Sequence, residues 1–176
     1  VERDFSNTNM AHIIKPAVAI LQDIKAYDTD GGTATDSTSW NDRILNTVKG
    51  ESWFVSGSFD GLGGTNTSFT LEPGTYEMGG SFPYYRTDFS LTRLYDVTNS
   101  TTAQYLQHCF TDAGGTDFCT GFNHLQYTFT ITSSTEYKFQ FRCNTTKSND
   151  GLGYPGLGYS GVDYTVFSQI QIRKLK

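Results

Sequence analysis

The sequence predicts an all-β domain, an antiparallel sandwich or jelly roll of two sheets, and three observations lead there. Apolar and polar residues alternate with a period of two: Tyr127, Phe129 and Ile131 against threonines, and Tyr137, Phe139 and Phe141 against Lys, Gln and Arg. Each such segment has one dry and one wet face, as a strand in a half-solvated sheet requires. Aromatic residues make up 15% of the 176 residues, with 13 Phe and 11 Tyr beside 18 Gly, a balance that favours pleated surfaces and turns over helix bundles. Joints rich in Gly, Asp and Ser, such as "DGLGGTN", "TDAGGTD" and "KSNDGLGYPGLGYSG", punctuate the chain between those segments, the spacing of an antiparallel sandwich.

Along the chain, residues 1–16, "VERDFSNTNMAHIIKP", are polar, weakly periodic and closed by a proline; they read as a linker or N-terminal arm leading into a head domain over 17–176. Ala17 to Ala26 is the first predicted strand, followed by the joint "DTDGGTATDSTS". Trp53 to Phe59 and Ser68 to Leu71 come next. Glu72-Pro73-Gly74-Thr75 then suits a type II turn, with proline presetting one φ and glycine accepting a positive one. Because type II geometry does not match the twist of a tight hairpin, that corner also suits a step from one sheet to its partner. The remaining predicted strands are Thr75 to Phe82, Asp88 to Asp96, Thr101 to Phe110, Phe122 to Thr132, Tyr137 to Cys143 and Val162 to Arg173. In the last of these Tyr164, Val166, Ile170 and Ile172 share a parity, hence one face.

Charge and motifs exclude several functions. A formal net charge of -5 and a pI near 5.0 argue against a nucleic-acid partner, whose phosphates demand clustered Lys and Arg; the one basic run is the terminal Arg173, Lys174 and Lys176. No apolar run approaches the roughly 20 residues of a membrane helix, so a soluble protein without a membrane partner is expected. With Val1 in place of an initiator methionine, the absence of a visible secretory signal carries little weight. No nucleophile elbow, phosphate-cradling loop or HExxH pair is present, so no enzyme and no cofactor are expected.

The polar clusters that remain have both a functional and an ordinary reading. "DTDGG", Asp28 to Gly32, begins like a calcium loop but lacks the later bidentate Glu, and an Asp-rich turn is the plainer account. His108, Cys109, Cys119 and His124 do not have the doublet spacing of a zinc site, and no metal is expected. Cys109 and Cys119 bracket a hairpin tip, "FTDAGGTDF", where a disulfide would contribute roughly 2 to 3 kcal/mol; a pair of free thiols remains the alternative. Cys143, in line with Phe139 and Phe141, reads as a small core residue. The sequons at Asn66, Asn99 and Asn144 are about as many as a Ser/Thr-rich chain produces by chance.

A family resemblance then enters. "AILQDIKAYDTDGGTATDSTSWNDRILNT", with Trp40, Arg43 and Leu45-Asn46-Thr47, followed by "FTLEPGTYEMGGSFPYYRTDFSLTRLYDVTNS" and "FQFRCNTT", resembles a module of bacteriophage tail-fibre and other virion proteins over about Ala17 to Lys174. That module is similar to the tumour-necrosis-factor and complement globular-head domains. The resemblance implies a trimeric jelly roll in which Phe69 and the Pro73-Gly74-Thr75-Tyr76 step lie on consecutive strands, and the first and last strands pair antiparallel. It further implies a non-enzymatic, homotrimeric virion domain of a fibre or spike that attaches to a host-surface glycan or protein, joined to the rest of the fibre or capsid through the arm. A purely structural role, in trimerisation or capsid decoration, is the alternative. The loops after the first strand and before the last would then form the outward end, with Tyr154 and Tyr159, together with Tyr27, Asp28 and Asp30, as candidate receptor contacts. Tyr offers a flat face at small rotamer cost; the alternative is that both loop tyrosines only pin a long loop to the sandwich.

Overall fold

Alternation in the sequence becomes strands in the computed structural model, which describes residues 16–36, 38–115, 120–155 and 161–176. β1 (Ala17–Ala26), β3 (Thr47–Gly50), β6 (Gly74–Tyr85), β10 (Thr120–Ile131) and β12 (Tyr164–Lys174) form a five-stranded sheet in the order β10-β6-β12-β1-β3. The facing sheet has seven: β4 (Val55–Ser56), β5 (Ser68–Leu71), β11 (Thr135–Cys143), β7 (Asp88–Asp96) and β8 (Thr101–Tyr105) in that order, with β2 (Asn41–Asp42) on β11 and β9 (Cys109–Thr111) on β7. Every named pair is antiparallel. From β5 onward the chain passes repeatedly from sheet to sheet, and β1 and β12 lie side by side, Ala17 opposite Lys174 and Ala26 opposite Tyr164. The architecture is the predicted all-β, two-sheet antiparallel jelly roll.

The core lies between the sheets. Leu21, Tyr76, Met78, Phe82, Ile170 and Ile172 face Phe69, Leu71, Leu94, Tyr137 and Phe139, all buried. Phe82 and Phe139 meet across the sandwich at 4.7 Å between ring centroids. Burying each such side chain is worth about 1.5–3 kcal/mol, so the alternation read from the sequence is also the main source of stability.

The Pro-Gly corner does carry the chain between sheets, from β5 to β6, but not as a type II turn, since Gly74 has no positive φ. Its glycine answers a different need. A Cβ there would lie 2.7 Å from the Lys176 carbonyl oxygen, because the corner is zipped to the chain end by Thr75 N–H to Lys176 O (3.1 Å) and Leu175 N–H to Thr75 O (2.8 Å). The Tyr76 hydroxyl closes the corner by donating to the Glu72 carbonyl at 2.6 Å.

Other boundaries differ from the sequence reading. The expected strand Thr101 to Phe110 is two, β8 and β9, because the chain turns inward at Leu106, which is buried and donates its N–H to Thr92 O (2.9 Å). Of Trp53 to Phe59 only Val55–Ser56 pairs, and Trp53 is exposed. β2 and β3 are short and polar, without the apolar alternation that reveals a strand. In β12 the shared parity breaks: Asp23 pairs with Ser168 but Ile24 with Val166, leaving Phe167 as an extra residue. That bulge turns Tyr164 and Val166 outward, 37% and 39% exposed, while Ile170 and Ile172 stay fully buried. A one-residue slip has this effect on every side chain beyond it.

Candidate functional site

Pairing of Ala26 with Tyr164 puts the loop after β1 and the loop before β12 at one end of the sandwich, as expected. The two are zipped together. Gly31 N–H donates to Gly153 O (3.0 Å), Leu152 N–H to Gly32 O (2.9 Å), and Ala34 and Lys147 exchange both backbone bonds (3.0 and 2.9 Å). Gly31 is required by this approach, since a Cβ would sit 2.6 Å from the Gly153 oxygen. The β6–β7 turn joins the same end: buried Thr87 accepts at its carbonyl from Thr145 N–H (3.2 Å) and gives its own N–H to Thr111 Oγ1 (2.9 Å). Asp88 accepts from Ala113 N–H (3.0 Å) and from the Thr145 hydroxyl, and these bonds, the hydroxyl first, hold its carboxyl below the usual range.

Four of the five candidate receptor residues fall on this joined surface, and Tyr159 lies outside the described residues. Asp28 is exposed, at a left-handed φ of 58°, and Asp30 is half-buried. Tyr27 is half-buried and tied by its N–H to Asp163 O (3.3 Å). Tyr154 is half-buried, its ring 4.9 Å from that of Tyr85, so it anchors its loop as well as bordering the surface. The proposed Cys109–Cys119 pair cannot be placed, because Cys119 also lies outside the described residues; Cys143 is buried, as expected, and burial pushes its thiol up to about 11. Among the described residues no three His, Cys, Asp or Glu side chains are grouped to hold a metal.

Beneath the loops sits a buried charge that the sequence reading did not interpret. Arg43 is wholly enclosed, its guanidinium carbon 5.3–5.9 Å from the ring centroids of Tyr84, Phe82 and Phe141. It donates to Ser168 Oγ (2.7 Å) and to the Leu152 carbonyl (3.4 Å), so it fastens the loop before β12 to the core. Desolvation lowers its pKa, and cation–π attraction in so dry a place offsets part of that cost, by about 2 kcal/mol. Nearby, burial pushes the Asp23 carboxyl above its ordinary range, against the opposing pull of Lys25 (3.3 Å) and Arg43. Asn46 completes the set by capping β1 in both directions, accepting from Ile24 N–H (2.9 Å) and donating to Ile24 O (2.8 Å). Arg43 and Asn46 are both among the motif residues of the resemblance, and here they are structural.

A second surface lies on the outer face of the seven-stranded sheet. Trp40, just before β2, lies with the guanidinium carbons of Arg93 and Arg142 at 4.1 and 4.6 Å from its ring centroid, and with Tyr105 at 6.1 Å. Lys138 and Gln140 both engage Asp42 (2.9 and 2.7 Å), and Gln140 Oε1 in turn accepts from Arg93 Nε and Nη2 (3.1 and 2.7 Å). Beside Arg142 is a hollow of about 300 Å³ lined by Phe89, Leu91, His108 and Asn144. Alternation along β7 and β11 puts Arg93 and Arg142 outward, but nothing local brings Trp40 to them; that required the β2–β11 pairing.

No family model and no curated protein sequence matches the chain. Solved structures similar to it include murine APRIL at pH 8.0 (11% identity, 92% of this chain and 100% of that one, TM-score 0.48) and the Eiger TNF of S. frugiperda (9%, 92% and 93%, 0.47). The globular domain of zebrafish complement 1qA is similar at 12% identity over 92% of this chain and 98% of that one, with a TM-score of 0.45.

Proposed function

We propose that the chain is a non-enzymatic head domain that self-associates as a homotrimer and attaches a virion to a host surface. One observation supports the self-association above others: the middle of the outer face of the five-stranded sheet carries no charged side chain. Gln22, Gln169, Gln171, Gln126, Gly79 and Ser81 occupy that middle by register, and Lys49 on β3 and the Glu77–Arg173 pair (3.2 Å) mark its margins. Depletion of charge at the centre of a patch is the compositional sign of an interface. The opposite outer face, with Arg93, Lys138 and Arg142, lacks that character. Threefold symmetry, the virion setting and the arm's link to a fibre come from the sequence resemblance.

Receptor contact is assigned to the joined loops carrying Tyr27, Asp28, Asp30, Tyr154 and Tyr159. A structural role, in trimerisation or capsid decoration, is the second reading, and the packing of Tyr154 on Tyr85 favours it. Competition by the isolated chain for adsorption of particles to host cells tests the first. Replacing Tyr154→Ala together with Tyr159→Ala should weaken that competition while leaving assembly intact. A well-assembled double variant that competes like the parent would move recognition away from these loops.

A further inference from the structure

Arg93 and Arg142 carry two positive charges on one spot of a chain whose formal net charge is -5. Among the described residues neither guanidinium meets a carboxylate, since the nearby Asp42 is taken by Lys138 and Gln140. Arg93 donates to Gln140 from Nε and Nη2 and to Thr102 Oγ1 from Nη1 (2.9 Å), which fixes it under Trp40. Arg142 is different: its Nε is buried without a hydrogen-bond partner, so a ligand would be met by the terminal Nη groups. Arg142, whose guanidinium lies against Trp40, is one of the residues lining the 300 Å³ hollow, where Phe89 is 52% exposed; Tyr105, also beside Trp40, is 54% exposed.

We propose that this surface binds a carboxylate-bearing saccharide, with Arg142 pairing the carboxylate, Phe89 meeting the C–H face of the sugar ring, and Asn144 bonding its hydroxyls. A planar guanidinium matches a carboxylate two bonds at a time. The hollow is at the lower end of the volumes that hold small ligands, which suits one sugar ring. Flat, exposed aromatics and a neutral amide around a single available cation favour a sugar over an acidic peptide, whose successive carboxylates call for a row of Lys and Arg. Arg93 acts through Trp40 and adds its charge at a distance. The proposal deepens the attachment reading and rests on it for where the saccharide comes from, not for the binding itself.

Titrating the chain with an oligo-uronate and with a sialylated trisaccharide, read by tryptophan fluorescence and by backbone amide shifts, tests it. At least one should bind, with shifts centred on residues 89–91 and 142–144, and its carboxyl-reduced counterpart should bind at least about tenfold more weakly. Arg142→Gln should lose about tenfold, and Arg142→Lys, which keeps the charge but not the planar fork, should lose less. Unchanged melting and circular dichroism certify that each variant is folded. The proposal is overturned by equal binding of the reduced sugar, by a folded Arg142→Gln that binds like the parent, by a poly-glutamate peptide that binds as tightly, or by no saccharide binding up to about 10 mM. Saccharide binding by a chain that fails to compete for host cells would sink the attachment reading and leave this one standing.

Discussion

At the scale of single residues, the chain spends stability to hold its loops in place. Asp23 is the clearest titrating case. Burial raises its native pKa above the ordinary 3.8, the pull of Lys25 and Arg43 notwithstanding. Between those two values the folded chain keeps a proton that the unfolded chain has released, so this contribution to stability is full below 3.8 and is lost as pH rises through the native value. Asp23→Asn removes the titration. The stability of the Asn variant relative to the parent should therefore climb as pH rises above 3.8 and level off once pH has passed the raised native value, as read by denaturant unfolding in a buffer series; a flat difference would refute the assignment. Gly153 tests close approach. It has a φ of 138° and a Cβ there would collide with the Phe167 ring, whereas Gly61, at φ 80°, has open space. Gly153→Ala should cost about 2–5 kcal/mol, strain and overpacking together, against about 1–2 kcal/mol for Gly61→Ala; equal melting temperatures would mean that the Phe167 contact is unimportant.

Among the elements, β12 holds the five-stranded sheet together, since it is hydrogen-bonded to β6 on one side and β1 on the other. Ile170 and Ile172 point from it into the core with no exposure. Truncating either to Ala should cost about 2–5 kcal/mol, measured as a shift in the unfolding midpoint. Removing residues 169–176 would strip β6 of all its β12 partners and unzip the Pro-Gly corner from the chain end. Loss of cooperative unfolding is the expected outcome; a soluble, cooperatively melting truncation would contradict the central placement. Pro83, within β6, lies beyond the last pair with β12, at Ser81, so its missing N–H interrupts no bond with that strand. It keeps only its β10 neighbour, Phe122, and so occupies the edge-type position that a proline tolerates in a sheet.

For the whole molecule, the two outer faces differ in charge: the middle of one is neutral, and the other carries Arg93, Lys138 and Arg142. If the neutral face joins copies, charges placed in its middle should separate them. Gln169→Glu with Gln171→Glu is expected to convert the proposed trimer to monomers at micromolar concentration in light scattering, with far-ultraviolet circular dichroism unchanged, because carboxylates buried at an interface without partners cost several kcal/mol. A double variant that stays trimeric would place the interface elsewhere. The joined loops, by contrast, stand at the end opposite the start of β1.

Sequence alone determined much of the frame. Period-two alternation is a local property of extended backbone, so Ala17–Ala26, Ser68–Leu71 and Asp88–Asp96 were read to the residue, and the burial of Cys143, Ile170 and Ile172 followed from their parity. Even the meeting of the two loops at one end required only that the first and last strands pair. Tertiary structure decided the rest, because it depends on what lies across the sheet. The bulge at Phe167 reverses the faces of Tyr164 and Val166, though nothing in their own spacing says so. Gly74 proved necessary for the passing chain end and not for a turn angle. Arg43, a charge that composition assigns to solvent, is buried because three aromatic rings from β6 and β11 converge on it. Trp40 reaches Arg93 on β7 and Arg142 on β11, strands that follow much later in the chain, and such a site exists only once register has been fixed.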